Sequence, residues 1–240
     1  MAGGLAVKCR RAGWGVQFLT ATDGGAGHHE MTPRSLVARR RVEARRAAAR
    51  IGATTATLGE PDGGLYVTRR TTDIMIAAIR RYRPDVVVAH RTCDYHRDHR
   101  MAAQLVLDAS YPLKVPLAVP RMRPLDRVPV ILYASDFFTE GPAFRAHWVH
   151  DIGREHALVV RMMLDHVSQF REWIPWVEGE RGVGRRHPAD EKTIAAWLTG
   201  RARSVARRWG TRSMRAAEAF QVSEYGARAT ARDLARLLPQ

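Results

Sequence analysis

The chain has 240 residues, 45% of them hydrophobic and 26% charged, with a formal net charge of +15. That leaves room for one sizeable core and matches a globular composition rather than a disordered or fibrous one. Cys9 and Cys93 give no disulfide framework, no apolar run reaches transmembrane length, and the first residues lack the order of a signal peptide; the expected setting is cytoplasmic and reducing.

The excess charge is mostly arginine, scattered in runs such as Arg39-Arg40-Arg41, Arg80-Arg81 and Arg207-Arg208. Such a surface attracts polyanions without sequence preference. No nucleic-acid-binding motif accompanies it, and aromatics do not alternate with the basic pairs as a stacking platform needs. A basic nucleic-acid-binding protein is therefore kept only as the weaker alternative, with no specific nucleic-acid partner expected.

In chain order, residues 3–12 predict a helix closed by Gly13. Val16–Thr22 predicts a strand, followed by the glycine-rich turn 23–27 and the pair His28-His29. Thr32-Pro33 supplies a cap and a first-turn proline for a helix running to Ile51. A strand around 56–58, a turn at 60–64, an amphipathic helix over 72–82 and an apolar run at Val86–Ala89 follow. This βα alternation predicts a parallel sheet with helices on both faces. A helix over 100–110 comes next. Five prolines mark 111–129 as a long loop, and Val130–Tyr133 reads as a strand. The stretch 148–152 suggests a hairpin-like excursion, 155–170 a helix, and Trp173, Pro175 and Trp176 an aromatic loop. Residues 178–190 read as mobile, 192–209 as a basic helix, and 214–238 as helix, loop and helix.

The chemistry-bearing stretch is PDVVVAHRTCDYHRDHR at 84–100. Open α/β sheets place their ligands beyond the carboxyl ends of parallel strands, and here that end carries His90, Asp94, Tyr95, His96, Asp98 and His99. Loop histidines are commonly solvated or act as caps, and Asp98 suits a helix cap. Three histidines and two aspartates at one strand end point instead to metal and proton chemistry. The residues by themselves name neither metal nor reaction.

Several segments together resemble the PIG-L (LmbE-like) family of zinc-dependent N-acetylglucosamine deacetylases. They are TDGGAGHHEM at 22–31, the helix with Arg40 and Glu43, PDG at 61–63, the 84–100 stretch, HVSQFREWIPW at 166–176, and AEAFQVSEYG near the end. The resemblance implies an α/β, Rossmann-like three-layer fold with a mainly parallel sheet. It makes residues 1–240 one deacetylase domain whose 176–240 part is a mainly helical extension. It implies hydrolysis of an N-acetyl group from an amino-sugar small molecule or glycoconjugate, with Zn2+ as cofactor. His99 is then the metal ligand, His96 the residue that stabilises the oxyanion or protonates the leaving amine, and Asp98 the residue that orients His96. Arg40, Asp94 and Tyr95 line the substrate site. A homo-oligomer stays open.

The family's first strand ends in His-Pro-Asp-Asp, which supplies two further zinc ligands and the general base. The chain begins beyond such a strand, and His187-Pro188-Ala189-Asp190 follows no strand and lacks one aspartate, so it is read as coincidence. The expectation is a fold lacking its first strand. Zinc would then be weakly bound or absent, in a truncated or inactive enzyme or a non-catalytic sugar-binding relative, because one imidazole does not hold the ion.

Overall fold

A computed structural model describes residues 1–180 and 190–239. Its first half follows the expected alternation: α1 (Gly3–Arg11), β1 (Gln17–Thr22), α2 (Pro33–Ala49), β2 (Thr54–Glu60), α3 (Arg69–Tyr82), β3 (Val86–Ala89) and α4 (Arg97–Ser110). Thr32 caps α2 by accepting from the Ser35 amide, with Pro33 at the first helical position. A reciprocal box between Thr68 and Thr71 starts α3, one turn earlier than the hydrophobic spacing alone suggested.

β3 shows how the layers form. Val86 and Val88 pack with Leu5 of α1 and with Phe220, whereas Val87 and Ala89 pack with Ile76, Ile79, Leu105 and Val106 of α3 and α4. Successive side chains of a strand point to opposite faces, so an all-apolar strand is buried on both sides. This is the three-layer α/β arrangement that the alternation predicts.

The second half departs from expectation. After two short 3₁₀ turns at Pro112–Lys114 and Pro116–Ala118 come β4 (Val130–Ala134), β5 (Trp148–Asp151), α5 (His156–Leu164), a π-helical turn at Ser168–Trp173, α6 (Ile174–Glu180), α7 (Glu191–Trp209), β6 (Ala217–Val222) and α8 (Ala231–Leu237). The aromatic loop expected at 173–176 is thus helical. The helix expected from Met214 is β6, inserted between β4 and β5 and antiparallel to both. Alanine and glutamate favour a helix in isolation, and pairing on both edges overrides that preference. Residues His187–Ala189 of the His-Pro stretch, with the rest of 181–189 from the segment expected to be mobile, lie outside the described residues; 178–180 belong to α6 and Asp190 caps α7.

The strands form two sheets, β1–β2 and β3–β4–β6–β5, with parallel pairing within β1–β2 and β3–β4. No ladder joins β1 to β3. The two edges are bridged by helices on opposite faces: α4 touches both strands, and α1 sends Val7 against Phe18 and Leu5 against Val86 and Val88. Glu218 of β6 ties α1 to the larger sheet, accepting from the Gly4 and Leu5 amides at 2.8 and 2.9 Å. A carboxylate there also suits the positive end of the helix dipole. At Gly4 a Cβ would lie 2.2 Å from Ile152 Cγ2, so the close approach requires glycine.

A candidate metal centre at the end of β3

β3 stops at Ala89, and the chain turns through His90–Tyr95 into α4, whose N-cap is His96. His96 Nδ1 accepts from the Asp98 amide at 3.2 Å. A ring nitrogen that accepts carries no proton, so in neutral His96 the proton sits on Nε2, facing away from the helix end. Asp94 lies in the turn before the helix. Its Oδ1 accepts from the His96 amide at 2.8 Å and lies 3.2 Å from His99 Nδ1. Arg100 donates to the Asp94 carbonyl and closes the turn.

His90 and His99 stack face to face, centroids 4.5 Å apart and planes 2° from parallel. Ligand atoms of His90, Asp94 and His99 all lie within 4.8 Å of one another. His90 Nδ1 is buried with no hydrogen-bond partner. Burial, and secondarily the neighbouring His99, pushes the His90 pKa down to about 4, which leaves the ring neutral with its lone pair available. Two imidazoles and a carboxylate are a donor set that zinc takes, and the orphaned Nδ1 is the kind of atom that a ligated ion satisfies. The residues present fit the metal. His99, expected as the one recognisable ligand, has ligand atoms of His90 and Asp94 within reach of the same ion.

The other expected site residues fall in three places. Tyr95, 70% exposed, stands at the mouth with its ring edge-on to His96 and His99 at 5.9 and 6.0 Å. Asp94 is turned inward, its side chain 8% exposed, towards His99 rather than towards solvent. Asp98 does not reach the His96 ring with its carboxylate. That group accepts from the Gly63 and Leu65 amides at 2.7 and 3.3 Å and fastens the 61–65 turn to the start of α4.

Arg40 is partly buried and donates to the Gly24 and Gly27 carbonyls at 2.8 Å and to Gln169. Its place is beneath the glycine loop, with Asp62 at 3.9 Å. Neighbouring α2 residues grip the π-helical turn: Glu43 accepts from Ser168 N and Oγ at 3.0 and 2.6 Å, and Arg39 donates to Glu172. His28 belongs to this brace as well. The sequence analysis placed His90 in the polar cluster without giving it a role of its own; its position directly after an apolar strand was the available signal.

Residues 1–110 match the family described as GlcNAc-PI de-N-acetylase (PIG-L). No curated protein sequence matches the chain. Among solved structures, the N,N'-diacetylchitobiose deacetylase of Pyrococcus horikoshii superposes with a TM-score of 0.73 at 21% identity, covering 93% of this chain and 78% of its own. GalB, the 4-carboxy-2-hydroxymuconate hydratase of Pseudomonas putida KT2440, gives 0.71 at 20%, covering 95% and 91%. The zinc-inhibited form of teicoplanin deacetylase Orf2 gives 0.59 at 13%, covering 92% and 93%. At these identities the likeness is one of fold, and a hydratase among the neighbours means that the fold does not fix the reaction. Residues 1–110 match the PIG-L family, and the chain as a whole takes the fold of the deacetylases it resembles.

Proposed function

We propose that the protein is a metal-dependent amide hydrolase that removes the N-acetyl group from an N-acetylglucosamine-containing substrate, with residues 1–240 acting as one domain. The observation that carries this reading is the grouping of His90, Asp94 and His99 beside the Nε2 proton of His96. His99 would hold the ion through Nε2, because its Nδ1 faces the Asp94 carboxylate. His90 would be a second donor, and Asp94 a third or the group that fixes the His99 ring. Zinc held there would polarise the acetamide carbonyl and acidify water.

His96 stabilises the oxyanion through its Nε2 proton, and the proton that the attacking water gives up passes to the departing amine. Asp98 positions His96 indirectly: its carboxylate holds the 61–65 turn and its amide occupies His96 Nδ1. Arg40 shapes the floor of the site by bracing the 24–27 loop, and Tyr95 offers an aromatic edge at the entrance. β6 belongs to the central sheet, which supports counting the 176–240 part within the domain rather than as an appendage.

The test is incubation of zinc-loaded protein with N-acetylglucosamine and N,N'-diacetylchitobiose, reading released acetate and free amine. Acetate release that a chelator abolishes is expected. Sugar binding without acetate release, with zinc bound, would instead favour the non-catalytic sugar-binding relative.

A further inference from the structure

Among the described residues, Arg201 is a partly buried cation at this end of the sheet with no carboxylate in ion-pair range. Arg91 makes a buried bidentate pair with Asp136, both bonds 2.7 Å, and Arg39 pairs with Glu172. Arg40 is bound by two backbone carbonyls and Gln169. Arg201 of α7 differs. It is partly buried, yet only its Nη2 donates, to the Ser135 carbonyl at 3.3 Å and the Met1 sulfur at 3.1 Å. Among the described residues no carboxylate lies in ion-pair range of it.

Its place is fixed by the sheet. Ala89 of β3 pairs with Tyr133 of β4, so Ser135 follows the end of β4 alongside the turn that begins with His90. The guanidinium also packs over the Phe137 ring at 5.4 Å, which sets its plane. Burial lowers its pKa, and the charges of Asp136 and Asp94 act in the opposite direction. A partly desolvated guanidinium without a carboxylate is a poor structural choice, because Arg matches oxyanions with a planar fork. An external anion would complete it.

We propose that Arg201 is the oxyanion-recognising residue of this site, holding a phosphate or carboxylate group next to the reacting acetamide. The oxyanion has two sources: a phosphate carried by the substrate, or the acetate formed on hydrolysis. The proposal rests on the deacetylase reading only for those sources; the anion site itself is read without turnover.

The experiment titrates inorganic phosphate and, separately, sodium acetate into the metal-free full-length protein by calorimetry, with Arg201→Gln, Arg201→Lys and Arg203→Gln alongside. Arg203 is exposed on the same helix and controls for diffuse positive charge. Saturable binding is expected, about tenfold weaker in Arg201→Gln, a few-fold weaker in Arg201→Lys, where the charge stays and the fork goes, and unchanged in Arg203→Gln. Tighter phosphate binding assigns the site to a phosphorylated substrate, and tighter acetate binding to the product. Equal losses in Arg201→Gln and Arg203→Gln, or no loss in Arg201→Gln, overturn the proposal. If Arg201→Gln fails to fold, judged by its melting transition, the Lys variant decides: undiminished acetate and phosphate binding there means that the fork is not used. Failure of acetate release with intact anion binding would refute the deacetylase reading alone.

Discussion

Two histidine-bearing turns follow parallel strands in this molecule, and they behave oppositely. After β1, His28 is buried to 3% side-chain exposure with both ring nitrogens engaged: Nδ1 accepts from the Glu30 and Met31 amides at 3.1 and 3.2 Å, and Nε2 lies 2.9 Å from Glu172. Its ring stacks on His29, which stacks on Trp176. After β3, His90 has a buried nitrogen with no partner, and His99 has only its Nδ1 engaged. The first set of nitrogens is consumed in holding a loop against the π-helical turn, and the second is left for a ligand. Residue type and location are shared; hydrogen-bond satisfaction separates brace from site.

The sharpest way to break that contrast is His99→Ala. It should abolish zinc binding, read as loss of the ion on dialysis and of cobalt absorption bands, and with it all acetate release. Retention of one tightly held ion would mean that the centre lies elsewhere. His96→Ala should keep the metal and slow acetate release by about 100- to 1000-fold, the effect of removing one oxyanion donor. If zinc leaves with His96, the roles given to His96 and His99 are exchanged.

A third histidine environment sharpens the comparison from another side. His150 of β5 is buried, accepts from Trp148 Nε1 at 3.2 Å, and has its Nε2 unpartnered; burial holds its pKa near 4. The unfolded chain gains a proton near pH 6.5 that the folded ring refuses. Stability is therefore complete above that pH and declines as pH falls from about 6.5 to 4. The contribution at its limit is on the order of 3 kcal/mol for the fall to about 4. His156 and His166, also lowered by burial, add in the same direction. Urea midpoints at pH 7.5 and 5 check this, and His150→Gln should flatten the slope.

The smallest effect belongs to the brace. His28→Ala should leave zinc affinity unchanged while destabilising the fold by roughly 1–3 kcal/mol, the cost of stranding buried partners. A matching loss of zinc would place His28 in the metal centre and erase the distinction between the two turns.

Much of the fold could be read from periodicity. β3 is four apolar residues between a turn and a polar cluster, and the helices flanking it carry recognisable caps. β6 could not be read this way. Ala217, Glu218 and Ala219 suit a helix locally, and only strands distant in sequence make them a strand. At the site, the roles of His96 and His99 were implied by resemblance. The joining of His90 to Asp94 and His99 depends on ring stacking across the turn, which spacing does not encode. Asp98 and Arg40 were identified as important residues, but what they bond to, backbone amides and carbonyls, is invisible in a list of side chains.

The late insertion of β6 bears on how the protein is made. Among the described residues β5 has no strand partner other than β6, and the edge of β4 away from β3 is paired by that strand alone. On the ribosome, residues 130–151 therefore emerge long before the residues that satisfy their backbones. Until residues 217–222 follow, the nascent chain presents an open β4 edge and the apolar Trp148-Val149 segment, both templates for wrong pairing. Chains stopped within α7 should collect in inclusion bodies or on chaperones, whereas the β1–β2 pair, complete by residue 60, is free of that delay.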